Sequence, residues 1–144
     1  MQEPRIRILL AKPGADCHDR GAHVLVQAFK DAGMEVIYTG LYQTPKMITE
    51  TAIQEDVDIV ALSCLSDSSA ILFTEVMRLL KEGGGDGICV IGGGTIREED
   101  RPFLEEEGVT GNYGPGTPLK VIVDHIVERV HNERCKKTQQ GGLR

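Results

Sequence analysis

Short apolar runs alternate with stretches of helical periodicity along the whole chain, the pattern of strand and helix units wound around a parallel sheet. The first apolar run is Ile6 to Ala11. From Gly21 to Ala32, Val24, Leu25, Ala28, Phe29 and Ala32 share one helical face, and Gly33 ends that helix. Glu35 to Thr39 reads as a second strand, Pro45 to Glu55 as a helix with Thr44 at its N-cap, and Asp58 to Leu65 as a third, central strand. A helix over Ser69 to Lys81 carries Leu72, Val76, Leu79 and Leu80 and stops at Gly83-Gly84-Gly85, ahead of a fourth strand at Ile88 to Ile91. A shorter helix follows Thr95, then a brief polar strand at Val109 to Tyr113. Pro118 to about Glu133 forms the last helix, with Leu119, Ile122, Val123, Ile126, Val127 and Val130 on one face.

Five such units predict an α/β fold in three layers: a doubly wound, five-stranded parallel sheet in the flavodoxin-like order 2-1-3-4-5. Sheets of this kind bind ligands at the carboxyl ends of their strands. Residues 1–133 read as one domain. Residues 134–144, CKKTQQGGLR with the preceding Arg134, lack apolar periodicity and read as a loose tail.

Composition narrows the function. A chain of 144 residues with 40% apolar and 26% charged positions has the size and balance of one globular domain. With 22 acidic against 16 basic residues, the net charge of −6 supplies no electrostatic footprint for nucleic acid. No apolar run is long enough to span a bilayer and the start lacks a secretory signal, so a cytoplasmic protein is expected. Four cysteines without a CxxC pair suggest neither a zinc knuckle nor a disulfide framework.

The chemistry-bearing residues fall at strand ends. After the first strand, AKPGADCHDRGAH contains Lys12, Asp16 and His18 and closes on Gly21. Histidine is the commonest metal ligand, and a neighbouring carboxylate typically fixes its tautomer and orientation, a role open to Asp16 with Lys12 behind it. A helix-capping Asp16 and a solvated His18 are the plainer alternative. Ser63-Cys64-Leu65 follows the third strand, Gly92-Gly93-Gly94-Thr95 the fourth, and Tyr113-Gly114-Pro115-Gly116-Thr117 the fifth, with Thr117 a candidate N-cap. Glycines there leave room for a flat ligand against the backbone, or serve only as turns. A response-regulator receiver would need an aspartate ending strand 3 and a lysine ending strand 5, where this chain has Ser63 and Tyr113. The phosphate loop of flavodoxins, the dinucleotide fingerprint and the Walker loop are absent as well.

Asp16-Cys17-His18-Asp19-Arg20-Gly21 fits DxHxxG, and Ser63-Cys64-Leu65 with Gly93-Gly94 fits the SxL…GG that accompanies it in cobalamin-binding domains. The intervals agree too: 41 residues separate Gly21 from Ser63, and 27 separate Leu65 from Gly93. Within that family the chain resembles the cobalamin domain of methylmalonyl-CoA mutase and related acyl-CoA mutases, through AKPGADCHDRGA, GLYQTP and GPGTP, from Arg5 to about Val130. The resemblance implies that the corrinoid's own base leaves the cobalt and is buried in the domain. It makes His18 the lower axial cobalt ligand, Asp16 its hydrogen-bond partner and Lys12 the third member. Asp19, Arg20, Gly21, Ser63, Leu65, Gly93, Gly94, Tyr113, Gly114 and Thr117 would surround the cofactor, with the Ser63 hydroxyl bonding the buried ring nitrogen.

In the acyl-CoA mutases a (β/α)₈ barrel of ~250 residues holds the substrate, and it does not fit in this chain. The resemblance therefore implies the small subunit of an adenosylcobalamin-dependent isomerase, inactive without a barrel-bearing large subunit that holds the acyl-CoA. Methylmalonyl-CoA-type rearrangement leads, with isobutyryl-CoA and 2-hydroxyisobutyryl-CoA open. Alternatives are a glutamate mutase small subunit, which Asp16-Cys17-His18 also resembles, and a corrinoid carrier for methyltransferases. Carriers usually place a helical cap before this fold, and about five residues precede the first strand here. A non-corrinoid site of Cys17, His18 and Cys64 is a further option. Three departures from the mutase pattern stand out: Cys17 in place of glycine, His23 in place of lysine, and Ser66 to Ala70 in place of a SGAH-like run. Cys17 reads as a small filler, and His125 and His131 read as solvated.

Overall fold

The computed structural model describes residues 3–14 and 18–141. Five strands, β1 (Arg7–Ala11), β2 (Glu35–Tyr38), β3 (Ile59–Cys64), β4 (Cys89–Gly94) and β5 (Val109–Tyr113), pair in parallel in the order β2-β1-β3-β4-β5. This is the doubly wound, flavodoxin-like sheet that the block pattern predicts. The helices are α1 (Arg20–Asp31), α2 (Pro45–Gln54), α3 (Ser69–Glu82), α4 (Arg101–Glu107) and α5 (Leu119–Gly141), with a 3₁₀ turn at Glu98–Asp100 leading into α4.

Strand alternation divides the core into two layers. Leu9, Ala11, Val60, Leu62, Val90 and Val109 face Ile48 and Ala52 of α2, Phe73, Val76 and Leu80 of α3, and Leu104 of α4. Ile8, Leu10, Ile59, Ala61, Cys89 and Ile91 face Ala22 and Phe29 of α1 and Ile126 and Val130 of α5. Both faces of the sheet are covered, which is why β3 reads as an unbroken apolar run. Thr44 caps α2 as expected, its hydroxyl accepting from the Met47 amide at 3.1 Å.

Three expectations need correction. β4 continues through Gly92 to Gly94 instead of stopping at Ile91, because cross-strand pairing to Ser63 and Cys64 holds residues whose side chains give no strand signal. Helix α5 runs to Gly141, past Glu133 and through residues expected to be loose. Its extension buries no apolar stripe, but Arg134 ties it back, donating to the Pro4 carbonyl at 2.9 Å and pairing with Asp58 at 3.2 Å. Thr117 does not cap α5: its hydroxyl donates to the Gly114 carbonyl at 2.7 Å, and the helix begins two residues later.

Candidate functional site

The site lies at the carboxyl end of the sheet, on the face covered by α1 and α5. β3 and β4 end here in small residues, and side chains of α1 and α5 border the gap. They leave a cavity of about 360 Å³, within the range of small-molecule and cofactor sites. Its floor is Leu10, Ala61, Ser63, Ile91 and Gly93; its walls include Val24, Leu25 and Phe29 of α1 and Ile122 of α5; the turn from Tyr113 to Thr117 closes one end. Among the described residues, His18, Gly21, Ser63, Leu65, Gly93, Gly94, Tyr113, Gly114 and Thr117 all line this one space. Residues up to 99 positions apart, from His18 to Thr117, are thus brought together. Asp16 and Cys17 lie outside the described residues.

Each glycine of the strand-4 run has its own reason. A Cβ on Gly92 would overlap Asn112 Oδ1 and come within 2.7 Å of the Phe73 ring, so this position must be bare for the opposite core layer to close. Gly94 has φ +114° and a Cβ there would overlap the Cys64 carbonyl oxygen. Gly93 differs: its nearest neighbour would be the Tyr113 carbonyl at 3.4 Å, an ordinary contact, and its open side is the cavity. Here bareness leaves the cavity open.

Tyr113 reaches the cavity through a β-bulge. The β4–β5 register runs Val90–Val109, Ile91–Thr110, Gly92–Gly111 and then slips to Gly93–Tyr113. The extra residue, Asn112, has φ +51° and is buried, donating from Nδ2 to the Val109 carbonyl at 2.8 Å. Behind Tyr113, the Thr110 hydroxyl and His125 Nε2 are 2.8 Å apart, and the His125 and Tyr113 rings meet edge to face at 5.6 Å. His125 is therefore half-buried and engaged, not solvated; burial holds its imidazole below the usual value and raises the Tyr113 phenol above its own. His131 is exposed, as expected, and its Nδ1 pairs with Glu3 at 2.7 Å.

Three candidates do not line the cavity. Lys12 is 1% exposed, its ammonium donating to the Ser63 carbonyl at 3.3 Å, so it braces the end of β3 from the end of β1. Arg20 is exposed on the first turn of α1. The Asp19 carboxylate turns to β2 and along α1: it accepts a hydrogen bond from the Tyr38 hydroxyl and meets His23 Nε2 at 2.5 Å. The Tyr38 bond foremost holds its carboxyl below the usual range. The apolar walls Leu25, Phe29 and Ile122 read from their spacing as core-facing helix, which they also are, whereas Val24 is exposed at 49% and lines the cavity all the same.

Among the described residues no group of three His, Cys, Asp or Glu side chains is placed to hold a metal ion, and no helix is long and apolar enough to cross a membrane. A single imidazole at the mouth of an apolar slot suits a metal that brings its own equatorial ligands, and the bare Gly93 and the Ser63 hydroxyl suit a flat heterocycle with a polar edge.

Comparison with known proteins agrees with that chemistry. The model of the B12 binding domain matches residues 6–123. The chain is 44% identical over 126 residues to the 2-hydroxyisobutanoyl-CoA mutase small subunit of Aquincola tertiaricarbonis, covering 88% of this chain and 93% of that one. It is also 44% identical over 126 residues to the methylmalonyl-CoA mutase of Escherichia coli (strain K12), but spans only 18% of that protein's length. Among solved structures, a cobalamin-binding protein from Desulfitobacterium hafniense DCB-2 superposes with a TM-score of 0.73 at 25% identity, over 88% of this chain and 59% of that one. A receiver domain of the response regulator NarL from Mycobacterium tuberculosis shares the fold alone, at TM-score 0.68 and 13% identity over 90% of this chain and 98% of that one. With His18, Gly21, Ser63, Leu65, Gly93 and Gly94 lining one cavity and a family match across most of its length, the chain belongs to the B12-binding domain family.

Proposed function

We propose that this chain is the cobalamin-binding small subunit of an adenosylcobalamin-dependent acyl-CoA mutase. It holds the corrinoid with its base displaced from cobalt, the nucleotide tail in the cavity and His18 as the lower axial ligand. The observation that carries this reading is the convergence of His18, Ser63, Gly93 and Tyr113 on a single apolar space at the carboxyl edge of the sheet. The likeness to a mutase small subunit along 93% of that subunit's length supports the division of labour between a cofactor-binding chain and a substrate-binding one.

In this reading Ser63 donates its hydroxyl to the ring nitrogen of the buried base, which would otherwise be an unsatisfied acceptor in an apolar slot. The α1 and α5 side chains sandwich the heterocycle and exclude water. His18 supplies the axial nitrogen at the mouth, with Asp16 orienting its ring and Lys12 holding the β3 end where Ser63 sits. When bound, the cofactor supplies the radical chemistry of the 1,2-rearrangement. The acyl-CoA, a branched form interconverted with a linear one, is held by a large subunit bearing the barrel.

The test has three parts. The purified chain, incubated with excess hydroxocobalamin and dialysed, should remain coloured; colourless protein overturns the reading. In the reduced, paramagnetic cobalt state, labelling the protein's histidine with the heavy nitrogen isotope should alter the axial-nitrogen hyperfine pattern, and His18→Ala should abolish that response. Capture from native extract should bring down a barrel-sized mutase chain, whereas a methyltransferase would mark a methyl carrier.

A further inference from the structure

His23, a departure from the mutase pattern, packs with Tyr38 around the residue that directly follows His18. The Asp19 carboxylate is gripped at both oxygens: Oδ1 accepts from the Tyr38 hydroxyl at the end of β2, and Oδ2 meets His23 Nε2 at 2.5 Å one turn along α1. The His23 and Tyr38 rings close the third side, edge to face at 5.5 Å and 75°. Asp19 stands at the N-cap of α1, yet its side chain caps no backbone amide; one oxygen goes across to Tyr38 of the sheet and the other along the helix to His23. Its carbonyl joins the helix, accepting from the His23 amide at 3.2 Å.

We infer that Tyr38, Asp19 and His23 form a latch that pins the first turn of α1 to β2 and thereby positions His18 for cobalt. The inference rests on the proposed role of His18 and adds to it three positioning residues that touch neither metal nor corrin. The physical reason is local. His18 is the last residue before the latch, so its backbone is fixed on one side by a carboxylate held by two donors and a helical bond. A ligand held in place before the metal arrives loses less conformational freedom on binding. Hydrogen bonds to a charged acceptor are stronger than neutral ones, so a carboxylate serves here better than a serine or asparagine, which would cap a helix about as well.

The experiment uses the full chain and two variants. Tyr38→Phe keeps the ring against His23 and removes only the hydroxyl; His23→Leu acts at an exposed position where folding is not at stake. Without cobalamin, exchange of the His23 amide should quicken about tenfold in Tyr38→Phe and by a smaller factor in His23→Leu. With cobalamin, Tyr38→Phe should bind about tenfold more weakly and show a reduced share of the histidine-dependent hyperfine pattern, and His23→Leu should fall between it and the wild type. Unchanged amide exchange in Tyr38→Phe, or an unchanged histidine-ligated share, overturns the latch. A wild-type protein that shows no histidine-dependent pattern overturns the ligand assignment itself, which separates the two failures.

Discussion

Gly93 and Tyr113 stand opposite each other across β4 and β5, one residue out of the register that pairs Val90 with Val109. The slip expels Asn112 towards Gly92 and Phe73 in the opposite layer and brings the Tyr113 ring round to the cavity that Gly93 leaves open. Without the bulge, strand alternation would put Asn112 there instead. The end wall of the site is thus a consequence of one inserted residue.

The neighbouring glycines should separate when substituted. Gly93→Leu introduces its side chain into open space, so the fold should persist with a melting temperature within a few degrees of wild type while cobalamin uptake is lost. Gly94→Ala must relieve both a left-handed backbone and overlap with Cys64, and should cost at least about 2 kcal/mol. Urea titration and cobalamin uptake measured on both proteins check this; equal behaviour would contradict it.

Ser63 should act through its hydroxyl alone, since the Lys12 ammonium contacts its carbonyl. Ser63→Ala should weaken cobalamin binding about three- to tenfold, the loss of one buried hydrogen bond. Ser63→Phe should fill the slot and block loading. Equilibrium titration with hydroxocobalamin reads both, and normal uptake by Ser63→Phe would mean that the tail lies elsewhere.

His125 should make stability depend on pH in a known direction. Burial, reinforced by Arg129 and partly offset by Glu105 and Glu128, lowers its folded value below 6.5. A depressed histidine favours the neutral form in the fold. Its contribution is therefore full above about pH 6.5 and is lost as pH falls through the lower, folded value. Urea midpoints at about pH 7.5 and about pH 5 should differ less in His125→Gln than in the wild type, because the carboxylates contribute equally to both proteins. Parallel pH dependences would refute the assignment.

The far end of α5 should divide at Arg134. Arg134→Ala removes the bonds to Pro4 and Asp58 and should cost about 1 kcal/mol, since its side chain is only 21% exposed. Ending the chain after Cys135 should change stability by less than about 0.5 kcal/mol, since the removed turns bury no apolar stripe. Denaturant midpoints of the two proteins test the contrast.

Local pattern was legible wherever side chains report their surroundings. β5 falls on the expected residues, Thr44 caps α2, and the third strand is central because its continuous apolar run demands cover on both faces. The pattern failed where side chains say little. Glycines 92–94 carry no strand signal, and residues 134–141 are helical without an apolar stripe. Phe29 and Ile122 looked like core because a wall facing a cavity obeys the same periodicity as a wall facing another helix.

Residue types and intervals by themselves determined the strand order, the edge of the sheet that matters and the set of segments that meet there, because hydrophobic periodicity and motif spacing are properties of the chain. Only the tertiary structure decided which face of the sheet opens into the slot, that Tyr113 rather than Asn112 closes it, and that Asp19 bonds Tyr38 and His23 instead of lining the cavity. Those outcomes depend on a bulge and on hydrogen bonds between residues distant in sequence, and such contacts exist only after the layers have packed.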